Sequence, residues 1–226
     1  MEQEQTGKTL WEMLVERVKR GNGAGVPFFN PLDLRIASAV QVPFANGPAF
    51  QDHDFSVREI REYTRRIGGS EFRFTDYVLH GINTRSFEAG KTLAARLRVA
   101  PNSAGGNTSL LLRVYDEFEF AEDFLAVVKD ESGLFEVADD ASGARETFTR
   151  VNNLKTSYEA AVLVVSATTP DGGAVSTGAT PARVEYWDYW RDADLGGGNS
   201  AKEFVFVEMN SETGWFQIWR GGEFFG

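Results

Sequence analysis

The chain has 226 residues, of which 42% are hydrophobic and 25% are charged, which is the balance of an ordinary globular protein. Its formal net charge of −10 argues against nucleic acid and anionic membrane surfaces as partners. The absence of cysteine excludes disulfides, thiolate zinc sites and cysteine nucleophiles. The acidic N-terminus lacks the features of a secretory signal, and no apolar run approaches the roughly 20 residues of a transmembrane helix, so we expect a cytoplasmic protein without a transmembrane segment.

An amphipathic helix is predicted near the N-terminus by the sequence TLWEMLVERVKRG. Leu10, Leu14 and Val18 recur at every fourth position and Trp11 lies beside them, so these side chains form one apolar stripe. The GNGAG that follows predicts a flexible linker. We therefore expect residues 1–25 to be a helix on a tether, whose stripe docks on the rest of the chain, on another protein or on a second copy.

Short strands are predicted along the remainder of the chain. LDLRIASAVQV alternates and predicts the first strand, while FSVREIREYTRRIGG fits a helix or a strand and is read as a strand because the β-rich SEFRFTDYVL follows it. Further strand-length runs are TLAARLRVA, TSLLLRVYDEF, GLFEVAD, RETFTRV, AAVLVVSATT, ARVEYWDYWR, EFVFVEM and GWFQIWRG. DEFEFAEDFLAVVKDESG predicts either a helical turn or two strands with a bend. Strands at this spacing predict an all-β, mainly antiparallel fold.

An internal repeat is suggested by the similarity of FRFTDYVL to VEYWDYWR and of LLLRVYDEFEF to FQIWRGGEFF. A strand candidate also precedes each half, which predicts two duplicated meander-like half-units, residues 26–125 and 126–226, of about four strands each. Two such units bury their apolar faces on one another as a sandwich or a partly open barrel, within one compact domain. Chance similarity between aromatic strands is the alternative.

Four of the five tryptophans lie near the C-terminus, and strand alternation sorts the aromatic residues there into two faces. In GWFQIWRG, Trp215 and Trp219 share the face that bears Gln217. One interpretation is a ligand-binding platform of Trp187, Tyr189, Trp215 and Trp219, because flat rings stack on sugars and other apolar faces. The other, which we favour, is that these rings fill a core.

No catalytic or metal signature is recognisable in the sequence. The two histidines, His53 and His80, have no second imidazole at ligand spacing, so we predict no metal site and no cofactor. Nucleophile-elbow, phosphate-loop and zinc-protease motifs are absent. Asp76 and Asp188, at equivalent places in the repeat, are expected to accept hydrogen bonds from a buried tyrosine or tryptophan.

Charged clusters allow two further interpretations. Acidic groups at 116–123 and at 139–140 contain carboxylates that could hydrolyse a glycoside if they faced each other, but their spacing along the chain does not establish that. The arginines of the second strand form one basic patch that binds an acidic partner or, as we favour, pairs with those acidic groups. This patch contains Arg58, Arg61, Arg65 and Arg66.

The segments NPLDLRIASAV and FSVREIREYTRRIGGSEFRFTDYVL, within about residues 30 to 100, resemble a group of uncharacterised bacterial domains of unknown function. Some members of that group are encoded near phage-shock-type membrane-stress proteins. The resemblance implies an all-β bacterial domain without an established activity. It carries over no functional residues, and it favours the interpretation of residues 55–66 as a strand.

Three functional hypotheses follow. The leading one is a non-enzymatic binding or scaffold protein that contacts another protein through the N-terminal helix or an exposed sheet edge. The second is a β module that binds a carbohydrate or a small apolar ligand through the C-terminal aromatic residues. The third is a carboxylate-based hydrolase.

Overall fold

The computed structural model describes residues 33–42, 48–67, 70–84, 90–101, 106–138, 143–151, 158–169, 173–177, 180–196 and 199–224. The strands within them are β1 Ala39–Val40, β2 His53–Ile67, β3 Ser70–Asn83, β4 Thr92–Pro101, β5 Asn107–Phe118, β6 Leu134–Ala138, β7 Arg145–Arg150, β8 Tyr158–Thr168, β9 Ala174–Ser176, β10 Ala182–Gly196, β11 Asn199–Asn210 and β12 Phe216–Glu223. The helix α1 spans Glu122–Val128, and Pro48–Phe50 forms one 3₁₀ turn. All described residues belong to one unit, residues 31–226.

Eight strands pair into a closed antiparallel ring in the order β2, β3, β4, β5, β12, β11, β10, β8. The ring closes because β8 pairs with β2 along one edge and with the first half of β10 along the other. The predicted all-β, mainly antiparallel fold is confirmed. Whereas the sequence left a sandwich or a partly open barrel as alternatives, the sheet closes on itself and so leaves these strands with neighbours on both sides.

Close approach of two backbones helps to close the ring where β12 meets β5. The register shifts by one residue between Ile218 and Trp219. At Gly221, a Cβ atom would overlap the carbonyl oxygen of Leu111 on β5. Only glycine allows the strands to lie this close, which explains one of the two glycines in the run IWRGGEFF.

One part of the ring's outer face is covered by α1 and by the hairpin of β6 and β7. The hairpin branches from the ring where β7 pairs with Tyr189 and Trp190 of β10. Beneath this cover lies a cluster of apolar side chains, which we call the first outer core. It contains Val128, Phe135, Val137, Phe148, Trp187, Tyr189, Val205, Val207, Met209, Phe216 and Ile218.

Another part of the outer face, on β2 to β5, is covered by residues from the segments 33–42 and 48–50. Buried residues of these segments, such as Val40 and Phe50, pack on apolar side chains of the strands, such as Tyr77 and Leu97. We call this cluster the second outer core. Both outer cores are apolar, so the hydrophobic burial that stabilises the fold lies largely outside the ring.

The secondary structure predicted for individual segments agrees with the structure at some of them and differs at others. FSVREIREYT lies in β2, as predicted, and the ambiguous DEFEFAEDF stretch contains the end of β5 followed by α1. LDLRIASAVQV is not a continuous strand, because Ala37 has a positive φ of 64° and, of its described residues, β1 alone has strand conformation. The predicted N-terminal helix lies outside the described residues, within which no helix has the length and hydrophobicity to span a membrane.

Candidate functional site: the ring interior and its end cavity

The interior of the ring combines buried charged groups with apolar side chains such as Val184, Leu112 and Phe206. Strand alternation turns every second side chain inward. The Tyr63 hydroxyl of β2 donates to the Glu208 carboxylate of β11 at 3.4 Å, and Nη1 of Arg96 on β4 donates to the same carboxylate at 2.7 Å. Neither β2 nor β4 is a neighbour of β11 in the ring. These bonds therefore cross the interior.

Four buried charges form what we call the interior network: Arg96, Arg98, Asp76 and Glu208. Arg98 donates to both oxygens of Asp76, at 2.8 and 2.9 Å, and to Glu208 at 2.9 Å. Arg96 contacts Asp76 at 3.3 Å in addition to Glu208. Two positive and two negative groups cancel, which is the condition under which buried charges are tolerated.

Aromatic rings pack against the guanidinium groups of this network. The Arg96 guanidinium lies 3.7 Å from the centroid of Trp219. Arg98 lies 4.5 Å from Phe74 and 4.6 Å from Phe206. The planar arginine side chain is suited to such stacking while its edge makes hydrogen bonds. The interior is therefore filled by charged groups packed against aromatic rings, together with aliphatic side chains such as Leu112 and Val184.

The network holds Glu208 ionised. Burial alone would raise the pKa of this carboxyl, but the nearby Arg96 and Arg98 outweigh it and lower the pKa to about 2. The carboxylate also accepts bonds from Tyr63, Arg96 and Arg98. A carboxylate in this state is a structural anion rather than a proton donor.

A second buried carboxylate, Asp188 of β10, lies in the same interior beside Arg65 of β2. Nη1 of Arg65 donates to Oδ2 of Asp188 at 3.1 Å, and the guanidinium lies 4.7 Å from the ring centroid of Tyr158 and 5.4 Å from that of Tyr186. Among the described residues, Oδ1 of Asp188 and the Tyr186 hydroxyl have no hydrogen-bond partner. Burial raises the pKa of Asp188 to about 6, although Arg65 and Arg98 oppose the rise.

We expect Asp188 to make stability decrease between about pH 4 and pH 6. Because its folded pKa of about 6 exceeds the ordinary 3.8, the folded state binds the proton more tightly, and the stabilisation is present below pH 4 and lost as pH rises through 6. Two pKa units correspond to about 3 kcal/mol.

Urea denaturation of the native protein and of Asp188→Asn checks this expectation, since contributions of other groups cancel in the difference. The native-minus-variant free energy of unfolding should be larger at pH 4 than at pH 7 by about 3 kcal/mol. An equal difference at both pH values would contradict it.

A cavity of about 360 Å³ lies at the end of the ring beside the turn between β11 and β12. One wall is apolar and consists of Val162, Val164, Ala182 and Val184. Polar side chains line other parts of it: Arg61, Tyr63, Glu208, Asn210, Thr213 and Gln217. Trp215, which is 39% exposed, completes the lining. The cavity thus has apolar and polar surfaces and one partly exposed aromatic ring.

The residues of the predicted aromatic platform do not share one surface. Trp187 and Tyr189 lie in the first outer core, and their exposures are 1% and 0%. Trp219 is buried against Arg96 in the interior. Of the four, Trp215 lines the cavity. The predicted partner-binding residues of the N-terminal helix, Leu10, Trp11, Leu14 and Val18, lie outside the described residues.

Arginine partners differ from those expected. Arg61 and Arg65 turn inward and pair with Glu59 and Asp188, whereas Arg66 pairs with Glu71 at 4.0 Å. Among the described residues, none of the three pairs with the acidic group at 116–123, and residues 139–140 lie outside the described part of the chain. Asp76 and Asp188 are buried acceptors, as expected, but their donors are arginines rather than tyrosine or tryptophan.

Sequence reasoning missed Arg96 and Arg98. Both alternate with buried apolar residues in the run ARLRVA, on a strand that is buried on both faces. This alternation of charge with Leu97 and Val99 was the available signal of buried charges in the interior. Within the part of the chain that is described, no group of three or more metal-ligating side chains is placed to hold a metal. Comparisons with protein-family models, with curated proteins and with solved structures gave no match.

Proposed function

We propose that this protein is a non-enzymatic binding protein that holds one small molecule in the end cavity. The observation that supports it is the cavity itself, of about 360 Å³, at the open end of a closed eight-stranded ring. Closed sheets of eight strands have an interior that side chains fill or that holds one small ligand, and ligands commonly enter at the end. The volume is near the lower limit for ligand cavities, which favours a compact ligand.

The lining indicates a ligand with one apolar side. The four aliphatic side chains of β8 and β10 offer dispersion contacts, and Trp215 offers a flat ring for stacking. The polar side chains of the lining fix its orientation. This description fits the carbohydrate or small-ligand hypothesis, with Trp215 as the aromatic residue that takes part.

Binding fits the chemistry of the cavity better than hydrolysis does. Glycoside hydrolysis requires a carboxylic acid with a raised pKa close to a second carboxylate. Glu208 is the carboxylate that lines the cavity, and Arg96 and Arg98 keep its pKa at about 2 against the effect of burial. Asp188, whose pKa is raised, is not among the lining residues.

Filling the cavity tests the proposal. Ala182→Trp places an indole against the apolar wall, and Ala161→Trp, on the outward face of the adjacent strand β8, is the matched control. A library of small amphipathic molecules is screened by ligand-observed NMR with each protein. We expect ligands that bind the native protein and Ala161→Trp but not Ala182→Trp. Ligands that bind all three equally, or no ligand at all, would contradict the proposal.

We also propose that the ring contains two duplicated half-units. Strands β2 to β5 follow one another around it, as do β8, β10, β11 and β12. Asp76 and Asp188 both face the interior, and Tyr77 and Tyr189 both lie in outer cores. An experimental structure in which β2, β3, β4 and β5 superpose in that order on β8, β10, β11 and β12 would support duplication. A superposition that matches these strands in a different order would contradict it.

The other expectations from the sequence stay predictions. A role of the N-terminal helix in protein binding depends on residues 1–32, which lie outside the described residues. A cytoplasmic location rests on the composition and the N-terminal sequence alone. The resemblance to bacterial domains of unknown function likewise rests on aromatic strand patterns.

A further inference from the structure

We infer that Arg61 makes the end cavity selective for small organic acids, whose carboxylate binds the Arg61 guanidinium and whose apolar body contacts the aliphatic wall. The inference rests on the proposed function, and it names the class of ligand. It depends on which charged groups of the cavity still have hydrogen-bonding capacity.

Of the two charged side chains that line the cavity, Glu208 already accepts hydrogen bonds at both of its oxygens. Its Oε1 accepts from Arg96 and Arg98, and its Oε2 accepts from Arg96 and Tyr63. A carboxylate has about four acceptor positions, so this one has little capacity left for a ligand. It therefore contributes no anchor for a cationic or donor-rich ligand.

Arg61 is in the opposite situation. Its Nε donates to Glu59, but within the described residues its two terminal nitrogens have no hydrogen-bond acceptor. The side chain is 28% exposed and lines the cavity. A guanidinium has five N–H donors in a rigid fork, and the terminal pair matches the two oxygens of a carboxylate.

The organic part of the ligand is indicated by the position of Arg61 in the ring. Arg61 on β2 is paired directly with Val164 on β8, and Val162 is two residues away on the same inward face. A molecule whose acid group contacts Arg61 therefore has the aliphatic wall immediately beside it. The volume of about 360 Å³ suits a short aliphatic or a single-ring aromatic acid.

Matched acids and amides test the selectivity of the cavity. Hexanoate and benzoate are titrated calorimetrically against hexanamide and benzamide, which have the same shape without the charge. The native protein should bind each acid about tenfold more tightly than its amide, as expected for a charge-assisted hydrogen bond at a partly exposed site. Arg61→Gln should lose this preference, and Arg61→Lys should keep part of it.

Arg145→Gln is the control for the loss of a positive charge, because Arg145 is an exposed residue at the start of hairpin strand β7 and pairs there with Glu136. It should keep the native preference, and thermal unfolding establishes that each variant is folded. If acids and amides bind equally and Ala182→Trp abolishes both, the proposed function stands and the role of Arg61 is wrong. If the acid preference survives in Arg61→Gln, the role of Arg61 is also wrong. If Ala182→Trp leaves the binding unchanged, the proposed function itself fails.

Discussion

Replacing Glu208 with glutamine is expected to lower the free energy of unfolding by about 3 to 5 kcal/mol. The side chain is 7% exposed and balances Arg96 and Arg98, which are 1% and 6% exposed. Glutamine has nearly the same shape but no charge, so the interior network would retain two arginines and one aspartate. The effect is large because one buried positive charge is left without a balancing negative charge. Urea denaturation at pH 7 measures the change in the free energy of unfolding.

The matched control is Glu136→Gln. Glu136 also pairs with an arginine, Arg145, but both side chains are exposed, so its loss should cost no more than about 1 kcal/mol.

Because the pKa of Glu208 is about 2 rather than 4.5, its stabilisation is present above pH 4.5 and is lost as pH falls through 2. The acid-induced loss of stability should therefore be smaller in Glu208→Gln. Equal effects of the two substitutions would show that the interior network is not balanced as described.

Replacing Trp187 with alanine is expected to cost about 3 to 5 kcal/mol of stability without changing ligand binding in the end cavity. Trp187 is 1% exposed and lies in the first outer core, outside the ring. Its removal leaves a void beneath the cover formed by α1 and the hairpin of β6 and β7. Denaturant unfolding measures the loss of stability. Calorimetry at a temperature where the variant is folded measures ligand binding.

Trp215→Ala is the complementary substitution. Trp215 is 39% exposed and lines the cavity, so its removal should change stability by less than about 1 kcal/mol while it weakens ligand binding. The two tryptophans thus separate the two interpretations of the C-terminal aromatic residues. Weaker binding in Trp187→Ala with unchanged binding in Trp215→Ala would reverse the assignment.

Local patterns in the sequence predicted most of the strands and their faces. The alternation in GWFQIWRG separates Phe216 and Ile218, which lie in the first outer core, from Gln217 and Trp219, which face the interior. The interpretation of these aromatic residues as a core holds for Trp187 and Trp219. These predictions succeed because alternation is a property of neighbouring residues and depends little on the rest of the fold.

Tertiary structure decided which face of each strand is the interior. Residues 145 positions apart, Tyr63 and Glu208, meet there, and no local pattern specifies such a meeting. Composition, strand positions and the two-sided aromatic pattern were determined by the sequence itself. Closure of the ring, pairing of Arg96 and Arg98 with Glu208, and the end cavity beside Arg61 required the complete set of strand pairings. The physical reason is that charge balance and cavity shape depend on groups that come together only when distant strands pair.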